Sequence, residues 1–242
     1  MKNSIYTTAS GMMTSAERLN TIANNLANFS TNGYKEDIPF EQTIRFLTEG
    51  PYPGKDQPVL GGSAMNMQNG LITQTGRNLD LAFEGPGFLA VQGPGNNELY
   101  TRDGALKLNP KRELVTSEGY NILDRFDNKI TLFGEKVQIT PKGDVFIDDN
   151  YFTTLKVVDL PDRDKLEKVG NTFLKLKDGN PPPPQIENPQ IQVGALEKSN
   201  VNVLAGMGEL IRTQRTFDLQ RTAADVMLKI VRKAITDIPK PV

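Results

Sequence analysis

The first 27 residues repeat apolar side chains at alternating steps of four and three: Ile5, Ala9, Met12, Ala16, Leu19, Ala23 and Leu26. That spacing is a heptad seam sustained over about three heptads, and it constrains the segment to an amphipathic helix of roughly 35 Å. Alanine at every second seam position permits close approach of a partner but buries little area alone. The helix is expected to end near Ala27–Asn28, where Asn24, Asn25 and Asn28 crowd together, because asparagine competes with the helical backbone. The last 40 residues repeat the pattern with Val203, Met207, Leu210, Phe217, Ala224, Leu228, Val231 and Ile235, interrupted by Gln214 and Arg221. Ser199 or Asn200 is the expected cap of this second helix, and Pro239 sets its end. Further apolar residues lie off its seam, among them Leu204, Ile211, Leu219, Val226 and Ile230. A helix apolar on more than one side needs several neighbours.

Between the two helical ends the pattern changes twice. Residues 29–70 are punctuated by Ser30-Thr31-Asn32-Gly33, Pro39, Gly50, Pro51, Pro53, Gly54, Pro58, Gly61 and Gly62, and read as an extended connector with a helical turn or two near Phe40. From residue 71 to about 180 the period shifts toward two. Short strands are expected at 71–75, 79–83, 87–92, 98–102, 104–109, 130–133, 136–140, 144–148 and 152–159, separated by turns such as Glu84-Gly85-Pro86-Gly87 and Lys142-Gly143-Asp144. Many short strands at close spacing argue for an antiparallel barrel-like or sandwich-like β domain. Pro181–Pro184 and Pro189 mark 181–198 as a stiff spacer of polyproline type. The expected fold class is therefore α+β. Long N-terminal (1–28) and C-terminal (199–242) helices form an α-helical coiled-coil domain, with an antiparallel all-β domain inserted at 71–180.

Composition narrows the chemistry. The 242 residues include no cysteine, histidine or tryptophan, so a Ser–His or Cys–His couple, a thiol redox pair and an ordinary zinc or haem site have no ligands or bases to use. Lys plus Arg is 28 against 29 for Asp plus Glu, which gives no electrostatic case for nucleic acid or an anionic membrane. The carboxylates at Asp144, Asp148, Asp149, Asp159, Asp162 and Asp164 do not follow calcium-loop spacing and read as a solvated surface. Gly85-Pro86-Gly87 and Gly93-Pro94-Gly95 read as hairpin turns, since proline supplies no N–H to a phosphate. No catalytic, cofactor-binding or metal-binding residue is assigned. No stretch approaches the ~18 apolar residues of a membrane span, and the start lacks the h-region of a cleaved leader.

Four collinear segments then carry a resemblance. Ala9-Ser10-Gly11-Met12, Ala23-Asn24-Asn25-Leu26-Ala27-Asn28 and Thr31-Asn32-Gly33-Tyr34-Lys35 resemble the N-terminal signature of bacterial flagellar rod and hook proteins. The run Thr75–Val91, then Tyr100-Thr101-Arg102-Asp103-Gly104 and Leu114–Tyr120, is similar to that family's shared core. Gly194-Ala195-Leu196-Glu197-Lys198-Ser199-Asn200-Val201-Asn202 and Gln214-Arg215-Thr216-Phe217-Asp218 resemble its C-terminal signature. The length and the segment Met67-Gln68-Asn69-Gly70-Leu71 look more like a proximal than a distal rod protein.

The resemblance implies a structural subunit of the basal-body rod that polymerises into the drive shaft between motor ring and hook. It implies export through the flagellar type III apparatus without a cleaved signal peptide. The implied partners are further copies of the chain and neighbouring rod proteins, with no nucleic acid and no membrane insertion. The expected assembly interface comprises Ile5, Ala9, Met12, Ala16, Leu19, Ala23 and Leu26, with Met207, Leu210, Phe217, Leu228 and Val231. Asn24, Asn25 and Asn28 are assigned to hydrogen bonds between helices or at the helix end.

Overall fold

A computed structural model of the chain describes residues 2–45, 56–134 and 136–236. The chain divides into two compact units. One combines Met1–Ala27, Asp37–Met65 and Asn202–Val242; the other combines Asn28–Glu36 and Asn66–Val201.

The terminal unit contains helix α1 (Lys2–Ala27), strands β1 (Asp37–Arg45) and β2 (Asp56–Met65), and helix α2 (Val203–Thr236). The strands pair antiparallel from Asp37↔Met65 to Arg45↔Asp56, with a shift of register between Phe40 and Glu41. An isolated two-stranded hairpin is marginal in water. Here α1 packs against both strands and supplies the missing layer. Helix α2 starts two or three residues later than Asn200 or Ser199 would set it. Asn202 is the cap: its side-chain Oδ1 accepts from the Ala205 amide at 3.1 Å and its carbonyl from the Gly206 amide at 2.8 Å.

The second unit is all β apart from short 3-10 turns. Its main sheet runs in the order Leu166–Val169, Phe173–Leu176, Glu98–Thr101, Phe88–Gln92, Asn121–Ile122, Leu114–Val115, Lys107–Leu108, and Val157–Val158 also pairs with Phe88–Gln92. A three-stranded meander is formed by Val137–Ile139, Asp144–Ile147 and Asn150–Thr154. Two further antiparallel pairs join Leu81–Phe83 to Ile191–Val193 and Ile72–Gln74 to Ala195–Glu197. Strand Phe88–Gln92 is buried on both faces from Phe88 to Val91, which makes it the spine of the core. Leu81, Phe83, Leu89, Val91, Leu106, Leu114, Ile122, Ile130 and Leu132 fill that core with at most 1% exposure. The proline run is tied into this unit rather than free of it. Pro184 accepts from the Asp159 amide at 3.0 Å, and Gln185 bridges to Val158.

The expected fold class requires correction. Two α-helices stand against seventeen strands among the described residues, so the fold is mostly β with a helix at each end. The terminal unit is not an α-helical coiled-coil domain. A pair of strands is built into it, and the two helices meet largely through polar and small side chains, with Leu26 the seam residue that lies against the opposite helix. Near Phe40, where a helical turn was expected, the chain is extended strand.

Candidate functional site

The contact between α1 and α2 is made by a stripe one residue away from the heptad seams. Ser15 donates to Gln220 Oε1 at 3.0 Å, and Arg18 pairs with Glu209 at 2.6 Å. Thr8 reaches the sulfur of Met227 at 3.9 Å. Two glycines sit against side chains of the opposite helix. A Cβ on Gly11 would meet the Gln220 side chain at 3.1 Å, and one on Gly206 would meet Leu26 at 3.1 Å. Thr14, Ser15 and Thr213 are buried along this stripe, which also lines a groove of about 260 Å3 with Arg212 and Thr216. Along α1, Thr8 thus meets Met227, Gly11 and Ser15 meet Gln220, and Arg18 meets Glu209, so the contact positions 8, 11, 15 and 18 keep the three-four alternation, while Leu26 meets Gly206 at the far end.

The seam residues are left on adjoining faces. Ala9 and Ala23 are exposed, and Met12, Ala16, Leu19 and Leu26 are half-buried. The side chain of Ile5 lies outside the described residues. On α2, Met207 and Leu228 are exposed while Leu210, Phe217 and Val231 are half-buried. Leu204 and Leu219 stand 84% and 72% exposed beside them. Asn24 is exposed and Asn28 half-buried, the latter accepting from the Thr31 hydroxyl through Oδ1 at 3.2 Å. Asn25 is buried and has a distinct job. Its Oδ1 accepts from the Asp37 amide at 3.0 Å and its Nδ2 donates to the Asp37 carbonyl at 2.8 Å, so one side chain mimics a β-bridge and pins β1 to α1.

Within the second unit the chain's entry and exit segments meet at a buried ionic junction that sequence reasoning did not assign. Glu197, 1% exposed, takes Arg102 Nε on Oε2 at 2.7 Å and Lys35 Nζ on Oε1 at 2.8 Å. Arg102 and Lys35 are themselves 3% and 4% exposed. The other guanidinium donors go to the carbonyls of Gly87 (3.1 Å), Phe83 (3.3 Å) and Gly85 (2.7 Å) and to Asn69 Oδ1 (2.8 Å), while the rings of Phe83 and Phe88 flank the cation. Lys35 also donates to the Gln68 carbonyl at 2.7 Å, and the Gly70 amide donates to Glu197 Oε1 at 2.8 Å. Asn200 completes the weave by accepting from the Glu36 amide at 2.8 Å and donating to the carbonyls of Asn66 and Gln68, each at 2.9 Å. Glycine is required where the segments cross. Gly33 has φ +68°, and a Cβ there would lie 2.5 Å from the Arg102 backbone.

Burial pushes the Lys35 ammonium below its ordinary value; the Glu197 carboxylate opposes that shift and the Arg102 charge reinforces it. Burial likewise raises the Asp103 carboxyl, although the Ser117 hydroxyl and the Ala105 amide both donate to it. Lys35, Arg102, Asp103 and Glu197 are all buried. Among the described residues no group of three or more carboxylate, histidine or cysteine side chains is placed to hold a metal ion, and no helix is long and apolar enough to cross a membrane. The signal that marks the junction in sequence is a charge beside apolar strand residues: Glu197 directly after Ala195-Leu196, and Arg102 just past the strand that ends at Thr101.

Two family descriptions match the chain. Residues 5–35 match "Flagella basal body rod protein" and residues 82–147 match "Flagellar hook protein FlgE/F/G D1 domain". The matches fall on the N-terminal helix with the turn after it and on part of the β unit, and both descriptions are of flagellar axial proteins. Over its full length the chain is 32% identical to the flagellar basal-body rod protein FlgF of Caulobacter vibrioides, covering 99% of each chain. It is 30% identical to FlgF of Rhizobium meliloti over 90% of each. It is 28% identical to the rod protein FlgG of Borreliella burgdorferi, over 95% of this chain and 97% of that one. The chain belongs to the flagellar basal-body rod protein family.

Proposed function

We propose that the chain is a structural, non-catalytic subunit of the proximal rod, built to polymerise and to carry torque from motor ring to hook. The stronger identity to the two FlgF proteins than to FlgG supports the proximal position. In this reading it reaches its site through the flagellar type III export apparatus and packs against its own copies and neighbouring rod proteins. The terminal segments, 1–28 and 199–242, are the polymerising parts. Neither nucleic acid nor a membrane is a partner.

One observation carries the proposal. The polar bonds of the intrachain helix contact lie on the neighbouring stripe, and of the apolar seam residues Ala9, Ala23, Met207 and Leu228 stay exposed while Met12, Ala16, Leu19, Leu210, Phe217 and Val231 are only half-buried. Burying one leucine of such a seam against a neighbour contributes about 1.5–3 kcal/mol, and a seam holds several. Ile5, Asn24 and Asn28 join the interface at its ends, whereas Asn25 is committed to the Asp37 backbone and Leu26 lies against Gly206. The test is assembly of the full chain carrying Leu228→Asp or Met207→Asp, followed by sedimentation and by motility of cells expressing the variant. Both variants are expected to fold with unchanged thermal midpoint and to fail to assemble. Normal assembly and motility in both would overturn the seam as the contact surface.

A further inference from the structure

The chain contains two Asn-Gly peptide bonds, Asn32-Gly33 and Asn69-Gly70. This dipeptide is the one most prone to deamidation, because glycine offers no side chain to hinder its nitrogen. The reaction begins when the glycine nitrogen loses its proton and attacks Cγ of the asparagine. Ammonia leaves with the side-chain nitrogen, and a five-membered succinimide closes. One water then opens that ring at either carbonyl, giving aspartate or, with an extra methylene in the main chain, isoaspartate. Nothing is oxidised or reduced.

Both vulnerable nitrogens donate to the same residue. The Gly70 N–H points to Glu197 Oε1 at 2.8 Å, and the Gly33 N–H points to the Glu197 backbone carbonyl at 2.8 Å. A proton held by a carboxylate is harder to remove, since the amide anion left behind would sit beside a negative charge. The electrophilic ends are held too. Arg102 Nη2 fixes Asn69 Oδ1 at 2.8 Å, and Lys198 Nζ fixes Asn32 Oδ1 at 3.0 Å.

We infer that Asn32 and Asn69 are latent deamidation sites, silenced by Glu197 in the folded chain and active whenever the chain is unfolded. The consequence is one-way. Isoaspartate at either site lengthens the backbone where no room exists: a Cβ on Gly70 would already lie 1.8 Å from the Lys198 carbonyl, and one on Gly33 lies 2.5 Å from Arg102. A chain that dwells unfolded therefore ages into a form that cannot close its own junction.

The experiment incubates the full-length chain at mildly alkaline pH, folded or in urea, and follows each site by peptide mapping and mass spectrometry. Wild type is expected to react at both sites in urea and at neither when folded. In folded Glu197→Ala, Asn69 is expected to accelerate by about ten- to a hundredfold, the range conferred by a hydrogen bond to a charged acceptor, while Asn32 stays slow because its guard is a backbone carbonyl. Glu197→Gln, which keeps a neutral acceptor, is expected to fall between. Chain isolated from the urea arm is expected to lose refolding yield in proportion to its isoaspartate content. Asn69 and Asn32 reacting in step in both variants would reduce the protection to folding alone and overturn the role of Glu197. Equal rates in folded and unfolded wild type would overturn the inference entirely.

Discussion

Replacing Glu197 by alanine is expected to be the most damaging single truncation in the β unit, and its cost can be worked from the contacts. The carboxylate is the shared anion of two cations that are almost fully buried. Its removal leaves Arg102 Nε, Lys35 Nζ and the Gly70 amide without the acceptor each now uses. Stranding buried charge in this way costs about 3–5 kcal/mol, a large share of the roughly 5–15 kcal/mol by which domains are stable. At about 4 °C per kcal/mol for a unit of this size, the thermal midpoint should fall by roughly 12–20 °C.

The opposite end of the triad should behave differently. Lys35→Met removes the surplus positive charge, leaves the Arg102–Glu197 pair intact, and orphans no acceptor. The Gln68 carbonyl keeps its bond from Asn200 Nδ2, and Glu197 Oε1 keeps the Gly70 amide. Its cost should stay below about 1–2 kcal/mol. Urea unfolding of both single variants and the double variant, read by circular dichroism at constant m-value, measures all three terms. A Lys35→Met cost equal to or above that of Glu197→Ala, or a Glu197→Ala cost under about 1 kcal/mol, would refute the charge argument.

Three further outcomes follow from the geometry. Asn25→Ala deletes both bonds to the Asp37 backbone and should destabilise the terminal unit by about 1–3 kcal/mol, seen as faster amide exchange in β1 with the β unit unchanged. Gly33→Ala puts a methyl 2.5 Å from the Arg102 backbone at a left-handed position, so it should be more damaging than Gly76→Ala, where φ is also positive (+74°) but nothing lies within 4 Å; comparative thermal melts decide this. Asp103 is raised above 3.8 in the folded chain by burial, so the folded state binds this proton more tightly than the unfolded state does. Ionisation therefore costs stability at neutral pH, and that cost is relieved as pH falls through the raised value toward 3.8. The advantage of Asp103→Asn over wild type, which keeps an acceptor for the Ala105 amide, should accordingly be larger at pH 7 than at pH 4; a pH-independent difference in urea midpoints would contradict it.

The two ends and the β middle were legible because periodicity survives in a single sequence. The seam from Ala9 to Leu26 does mark a helix, and 87–92 and 144–148 do mark strands. What periodicity cannot report is which stripe of a helix meets which neighbour. The apolar residues of α1 suggested the contact, yet Ser15, Arg18 and Gly11 make it, because Gln220 and Glu209 offer matching polar groups one residue off the opposite seam. The pairing of β1 with β2 was hidden by the prolines and glycines within those strands. Pro39 and Pro58 sit in a two-stranded sheet, where one side of each strand needs no ladder donor. The junction was hidden for another reason. Its residues were visible as parts of separate motifs, but Lys35 and Glu197 lie 162 positions apart, and no local signal pairs them. Inside a strand, the available clue was Glu197 alone, a charge ending an otherwise apolar run.

That separation also sets an order of events. Arg102 and Lys35 are synthesised 95 and 162 residues before the carboxylate that balances them. A chain delivered from its N-terminus therefore carries two cations whose burial is unfavourable until Glu197 emerges. The β unit is held back from completing itself while most of its strands are already available, and long-range closure of this kind is slow in any case. Completion waits for the segment that also starts α2. The residue that locks the two crossing segments together is thus the one that times when they can be locked.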